Sequence, residues 1–536
     1  MDTNETQAVQ EIDYAELQAL IARVEHAIEH GLALEAEDMR LLLSAIHTLL
    51  EVQTQLEEKN ITLHKLRKLL GMIKSSEKRA HSTKTDDRDE KECKRNKPKK
   101  PRKKKRKVEP KEVIYHQLDD LKKGDSCTQC PNGRFRKYDA KILIRISGAS
   151  PFEAKKHVVE RFKCDLCNYV VSVDLPAVVT EDGSIDQRYG YSARSVMAIF
   201  KHFSGMPYFH QETLNDLFGY PITASTIYDQ CEYLSNDCIP LYHQIKRIAA
   251  NAVLFYIDDT PNRIIEQKSE QRPNRNGKGT RLRTGIYTSG LIAVTDTGEH
   301  IYLYNTNLGH AGEFLDHILK QRDPHLPAPI IMSDALSSNL PTVIQNFVNA
   351  LCNAHARRQF VDIESNFPEE VEFILDLYGQ IWCYDTNSKE RNDDAEQRLA
   401  HHKEHSLPVM EQIQSWSEVQ INSPDCEQHG SLIKACNYFL KHYEELTQFC
   451  KTLGAPIDNN IMEEGLKIKI RSRKTSHFYK TQTGADVANV LTSIIATAYR
   501  NDSNPYEYLN KIQRNKEAVK AKPIDWLPWQ NINDTS

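Results

Sequence analysis

No uninterrupted apolar run of about 18 residues occurs in the 536-residue chain, so no membrane-spanning helix is expected. The amino terminus, MDTNETQAVQEIDY, is polar and acidic where a secretory signal would be basic and then apolar. Paired cysteines are scarce: of twelve, four form two CxxC pairs and the other eight are scattered. That pattern speaks against a disulfide framework and for a reducing compartment with one metal site. Net charge is nearly absent too, at −4, but the figure averages an uneven distribution, because eleven of the fourteen residues from Lys94 to Lys107 are Lys or Arg. Such a block repels itself, stays extended and pairs with phosphates or other anions. A chain of this length is expected to hold roughly three or four domains.

Residues 12–73 are expected to be helical. Leu42, Leu49, Leu56, Leu63 and Leu70 recur every seven residues, with Met39, Ile46, Gln53, Asn60 and Arg67 three positions earlier. A heptad seam of this kind predicts a coiled-coil homodimer; the alternative is a leucine stripe packed on the rest of the same chain. Residues 74–112 carry almost nothing to bury and are expected to be a disordered linker. Within it, PRKKKRKV (101–108), including Lys103, Lys104, Lys105 and Arg106, reads first as an arm on DNA backbone, then as a bare solvated linker, and last as a nuclear import signal.

Over 113–180, CTQC (127–130) and CDLC (164–167) are separated by 33 residues. Two such knuckles present Cys127, Cys130, Cys164 and Cys167 as a closed tetrahedral shell for one structural Zn²⁺, with no position left for water. A redox CxxC would not require two pairs. Residues 188–250 have a helical pattern, and HQETLNDLFGYPITASTIYDQCEYL has the cadence of a helix-turn-helix, with a break near Gly219 and Thr223 or Ser225 as the next cap. A plain helical hairpin produces the same cadence.

Farther on, AVLFYI (252–257) reads as a strand buried on both faces that stops at Asp258 and Asp259. TSGLIAVTDTGEHIYLYNT (288–306) reads as a hairpin around Gly298, AGEFLDHILKQR (311–322) as a helix, and PAPIIMSDA (327–335) as a strand ending on Asp334. Aspartates gathered at one sheet edge repel one another unless hard cations lie between them. In GAPIDNNIMEEGLKIKIRSRK (454–474), Asp458 or Asn459 can cap a helix, Glu463 falls about one turn in, and Lys467, Lys469, Arg471, Arg473 and Lys474 follow. Such a helix can hold a metal and receive a polyanion; equally, acids at helix starts answer the dipole and basic faces are often only solvated.

Taken in order from about Leu66 to Trp529, these segments resemble the transposases of the insertion sequence 66 family. The resemblance is carried by LRKLLGMIKSSEKR (66–79), the paired CxxC region, GMPYFHQETL through STIYD and PLYHQ, YIDDTPNRI, IIMSDA, CNAHARRQF (352–360), DNNIMEEGLK and IDWLPW (524–529). It implies a multidomain α+β architecture: an N-terminal coiled-coil helix, a zinc-ribbon-like domain, a helical DNA-binding segment, and a ribonuclease H-like α/β catalytic core over 251–360 and 451–512. An all-helical insertion (361–450) and a tail (513–536) complete it. The resemblance also assigns the catalytic acids as Asp258, Asp334 and Glu463, holding two Mg²⁺ or Mn²⁺ ions. Three departures stand out: Asp259 where the family usually has Glu, Glu464 where Arg usually follows the catalytic Glu, and Lys467 where Arg is common.

The activity implied is metal-dependent cleavage at the ends of an insertion sequence followed by strand transfer. Asp259 is expected on the opposite face of the strand from Asp258. His355 with Cys352 reads as a buried structural pair, and Arg357 and Arg358 as phosphate contacts or braces. Expected partners are the terminal inverted repeats, target DNA, a second copy of the chain and two small accessory proteins of the same element, in a bacterial cytoplasm. The rival readings are a DNA-binding regulator or decayed element without catalysis, and a nuclease that cuts without joining.

Overall fold

The computed structural model describes parts of residues 21–42 and residues 150–163, 170–172, 180–184, 187–273, 279–422 and 430–530. The chain divides into two units, Met1–Pro101 and Arg102–Ser536. In the first, the described residues are helical on both sides of Gly31, whose φ is +64°, and Arg23 meets Asp38 across that turn at 2.8 Å. The uninterrupted helix expected over 12–73 is therefore broken near its start, since glycine takes a left-handed φ at no steric cost and the chain doubles back. Leu42 ends the described stretch, while Leu49, Leu56, Leu63, Leu70 and the basic run Lys103, Lys104, Lys105 and Arg106 lie outside the described residues.

The second unit begins, among its described residues, with a small antiparallel pair, β1 (Arg161–Lys163) and β2 (Val170–Ser172). Cys164 and Cys167 fall between these strands and, with Cys127 and Cys130, lie outside the described residues. Three helices follow: α1 (Tyr191–His202), α2 (Tyr208–Leu217) and α3 (Ala224–Ala250). Gly219, at φ +79°, closes the turn after α2, and the Thr223 side chain accepts from the Thr226 N–H to start α3. Ile227, Cys231, Leu234, Leu241 and Ile245 recur on one face of α3 and are fully buried. The body of this helix thus serves the core beneath it.

That core is built on a five-stranded mixed sheet with order β7-β6-β3-β8-β9. The strands are β3 (Leu254–Asn262), β6 (Ile286–Val294), β7 (His300–Asn307), β8 (Ile330–Ser333) and β9 (Val348–Leu351), with a separate ribbon of β4 (Glu270–Pro273) and β5 (Thr280–Arg283). β3, β6 and β7 are antiparallel, whereas β3, β8 and β9 are parallel. The hairpin between β6 and β7 turns at Gly298, φ +96°. Helix α4 (Ala311–Leu319) crosses from β7 toward β8. Alternation along the strands divides the side chains: Phe255, Ile257, Leu291 and Ala293 join the core with α3 and α4, while Ile292, Tyr302 and Tyr304 face the other way.

After β9 come α5 (Asn353–Val361), α6 (Pro368–Glu390), α7 (Ala395–His401), a π turn at His402–Ser406, α8 (Leu407–Asn422), α9 (Ser431–Lys441) and α10 (Tyr443–Leu446). From 368 to 446 every described element is helical, and these helices enclose their own core around Ile374, Tyr378, Met410, Ile413 and Phe439. The chain then returns to the sheet as α11 (Asn460–Ser476), α12 (Gln482–Arg500), α13 (Pro505–Arg514) and α14 (Lys516–Ala521). Val519 and Leu527 are buried in the sheet core, so order continues well beyond residue 513. Among the described residues no helix is long and apolar enough to cross a membrane.

Helix α12 lies along the outer edge of β7 and supplies that edge with side-chain partners. The N–H of Tyr302 donates to Thr497 Oγ1 and that of Tyr304 to Ser493 Oγ, each at 3.0 Å; Thr306 Oγ1 donates to Asn489 Oδ1 at 3.1 Å, and Asn501 Oδ1 accepts the His300 N–H at 3.1 Å. Asn489, Ser493, Thr497 and Asn501 are spaced by four, which aligns them on one helix face. Thr497→Val keeps the shape but leaves both backbone groups of Tyr302 unpaired, because Thr497 Oγ1 also donates to Tyr302 O at 3.2 Å. We expect a loss of about 1–3 kcal/mol, read as a lower urea midpoint at unchanged slope.

Candidate active site

From the sequence, the strand carrying Asp258 is expected to stop at Ile257. It instead runs on to Asn262, because β6 pairs with β3 along its whole length, Asp258 opposite Gly290 and Asp259 opposite Ser289. The other neighbour is shorter. β8 pairs with β3 only through Tyr256 opposite Met332 and ends at Ser333. Beyond that point β3 has one open edge, and continuing the register sets Asp334 level with Asp258. The two aspartates therefore meet where a parallel neighbour gives out, a common place for ligand sites in sheets of this kind.

Helix α11 brings the third acid. Met462 and Leu466 pack on the face of the sheet that bears Tyr302 and Tyr304, directly over Gly290. A Cβ at Gly290 would come within 2.9 Å of Leu466 Cδ2 and would also strike the Met462 methyl. A side chain opposite Asp258 would force Met462 and Leu466 to shift, so glycine there lets the helix lie close. Its start is tied down by Asn459, which is fully buried: Nδ2 donates to Ile257 O at 3.0 Å and the backbone N–H to Cys352 Sγ at 3.2 Å. Asp458 caps alongside, its Oδ1 accepting the Asn460 N–H at 3.1 Å and its Oδ2 the Trp382 indole N–H at 3.1 Å. Glu463 lies in the first turn that follows. Asn459→Ala is expected to cost about 1–3 kcal/mol, measured by urea unfolding, since it strands the buried carbonyl of Ile257.

The electrostatics of the three acids differ. Burial pushes the Asp258 carboxyl up to about 7; the Asp259 N–H opposes this, and the carboxylates of Asp334, Asp259 and Glu463 add to it. That Asp259 N–H lies 2.8 Å from Asp258 Oδ1. Asp334 Oδ1 accepts from Asn339 Nδ2 at 2.7 Å and from the Leu336 N–H at 3.2 Å. Glu463 Oε1 is buried without a hydrogen-bond partner, and His355 Nε2 and an Arg358 nitrogen each stand 3.7 Å from it. Asp259 points to the opposite face, where its Oδ2 meets His310 Nδ1 at 2.9 Å. As placed, no three His, Cys, Asp or Glu side chains among the described residues enclose a metal ion. The donor set nevertheless fits a hard divalent cation: three carboxylates, one of them desolvated and another with an orphaned oxygen.

The cations divide into free and engaged. Lys467 and Lys474 are exposed. Arg471 donates to Phe203 O at 3.1 Å while remaining exposed, and Arg473 donates to Thr260 Oγ1 at 2.9 Å and to the Pro261 carbonyl, bracing the end of β3. Lys469 is buried, with Nζ 3.0 Å from Ala488 O, and does not face a polyanion. Arg357 and Arg358 line a recess of about 330 Å³ with Trp382 and Asn460. Glu464 turns to Arg500, 3.1 Å away, whose guanidinium lies over the Tyr302 ring. Asn339, His310 and Asn459's tie to the strand were not singled out from the sequence, and only the Asp-Asn-Asn run hinted at the last.

Residues 187–487 match the family model described as "Transposase IS66 family". An uncharacterized protein of Sinorhizobium fredii (strain NBRC 101917 / NGR234), y4hP, is 23% identical over 428 residues, covering 76% of this chain and 73% of the relative. A second uncharacterized protein of that organism, y4jD, is 32% identical over 162 residues, 30% of this chain and 31% of the relative.

Proposed function

The chain belongs to the transposase IS66 family, and from that membership we propose that it binds the terminal inverted repeats of an insertion sequence and catalyses strand cleavage and strand transfer. The observation that supports this most is the meeting of Asp258, Asp334 and the first turn of α11 at the open edge of β3. In this reading Asp258, Asp334 and Glu463 hold Mg²⁺ or Mn²⁺. When bound, the cations activate the attacking oxygen and relieve charge on the scissile phosphate. Asn339 orients the Asp334 carboxylate, and Asn459 fixes the distance between α11 and the strand. Arg357, Arg358, Lys467, Arg471, Arg473 and Lys474 meet DNA phosphates around the site.

Two phosphoryl transfers follow one another. First, the oxygen of water bonds to phosphorus at the element's end while the bond to the 3′ oxygen breaks, freeing a 3′-hydroxyl. That hydroxyl's oxygen then bonds to a target phosphorus and displaces the target's own 3′ oxygen. One Zn²⁺ on Cys127, Cys130, Cys164 and Cys167, the basic residues Lys103, Lys104, Lys105 and Arg106, and pairing through Leu42, Leu49, Leu56, Leu63 and Leu70 serve end recognition and dimer assembly. Purified protein incubated with labelled element ends, Mg²⁺ and a plasmid tests the proposal. Joined product is expected; nicked ends alone indicate a nuclease, and a shifted band without either indicates a regulator.

A further inference from the structure

A second concave site lies away from the three acids. A cavity of about 590 Å³ opens between α1–α2 and the segment joining α11 to α12. Its walls are aromatic: Tyr208, Tyr228 and Tyr479 inside, with Phe209 and Phe478 at the mouth. Phe209 is 66% exposed and Phe478 44%, so two large apolar rings face solvent on either side of the opening. Isolated exposed apolar residues are ordinary, but a pair flanking an aromatic cavity marks a binding site.

The cavity is also cationic. Lys201 is 6% exposed, its Nζ 2.7 Å from Ser476 Oγ and 5.0 Å from the centre of the Tyr208 ring. No carboxylate among the described residues pairs with it. Burial brings this amine down to about 8, which still leaves it charged at neutral pH. Lys480 adds a second cation at the wall, and the side chain of Thr481 caps α12 there. A buried ammonium without an acid, beside the Tyr208 ring, which meets Tyr228 edge to face, suits a ligand that combines a flat ring with an anion.

The position narrows the ligand further. Tyr479 N–H donates to Arg263 O at 2.9 Å and Ile265 N–H to Tyr479 O at 2.9 Å, so the cavity wall is stitched to the chain just after β3. Asp258 stands five residues before Arg263, about 16 Å along a strand, a distance within reach of one DNA strand. On α11 the exposed Lys474 lies, in sequence, between Glu463 and the cavity residue Thr475.

We propose that this cavity takes an unpaired nucleotide of the DNA strand, its base between the aromatic side chains and its phosphate toward Lys201 and Lys480. The inference deepens the transposase reading by naming a single-stranded feature of its substrate, and it is tested without chemistry. Without added Mg²⁺, fluorescence anisotropy of the full chain compares a labelled twelve-nucleotide oligothymidine with a strand of abasic sites of equal length. Both carry the same phosphates, so the basic run near residue 100 contributes equally to each. Wild type is expected to prefer the thymidine strand by about tenfold or more. The double variant Phe209→Ser/Phe478→Ser, changed only at exposed positions, is expected to bind both strands alike, and Lys201→Met to weaken both. Equal wild-type affinities, no binding of either strand, or a preference that survives the double substitution would overturn the inference. Binding of thymidine monophosphate without any strand preference would reassign the cavity to a free nucleotide and overturn it as well. Joining activity without the preference removes only this inference; the preference without joining removes only the catalytic reading.

Discussion

Asp258→Asn is expected to abolish strand joining while raising the thermal stability of the metal-free protein. Loss of one carboxylate from the metal-binding set removes several kcal/mol of charge stabilisation, on the order of a thousandfold in rate or more. Stability moves the other way because the ionised carboxyl is an unfavourable group in the fold, desolvated and repelled by the charges of Asp334, Asp259 and Glu463. An unfolded aspartate releases its proton near pH 4, and this one releases it near 7. Between those values the folded chain holds a proton that the unfolded chain has lost, so stability falls as pH rises from about 4 to 7 and then levels. The difference amounts to a few kcal/mol, on the order of 2–4, before screening by solvent. Asparagine removes the charge, and a melting temperature higher by a few degrees is expected at pH 8 without added Mg²⁺. Asp334→Asn should also abolish joining while the end-binding band shift persists. A variant at Asp258 that still joins ends, or one whose stability tracks wild type across pH, would sink the assignment.

The second large effect concerns the helical insertion. Asp385 is 2% exposed on α6 and is met by Lys389 Nζ and an Arg398 nitrogen at 2.6 Å each and by His402 Nε2 at 3.4 Å. Burial alone would raise its pKa, but His402, Arg398 and Lys389 together hold the carboxyl well below the usual carboxylate range. Asp385→Ala leaves buried His402 and half-buried Arg398 without their anion, and a loss of about 3–5 kcal/mol is expected. Hydrogen exchange should locate it in α6, α7 and the π turn while the sheet stays protected. Because the folded pKa is depressed, this contribution is complete above about pH 4 and fades as pH falls through the folded value. A change below about 1 kcal/mol would mean the cluster is solvated in solution.

The sequence carried the sheet well where alternation or turn chemistry is local. Gly298, Gly219 and Thr223 mark their turns and cap by residue type alone, and the strand expected in PAPIIMSDA to end on Asp334 ends one residue earlier, at Ser333. The extent of β3 was not legible, because AVLFYI reads as complete and only the long partner β6 draws residues 258–262 into the ladder. Gly31 sits within a leucine-rich helical pattern that gives no local sign of a break, yet its left-handed φ reverses the chain. Glu464, a departure from the family's usual Arg, pairs with Arg500, a contact across 36 positions that no local pattern reveals. Lys469 likewise belonged to an apparent basic face and is buried instead.

The polar row of α12 bears on how copies of this chain can meet. A bare outer strand offers a template onto which a neighbour's backbone can zip, and such contacts propagate without limit. With Asn489, Ser493, Thr497 and Asn501 occupying β7, that route is shut. Any association between copies of this chain is therefore left to surfaces other than this sheet margin.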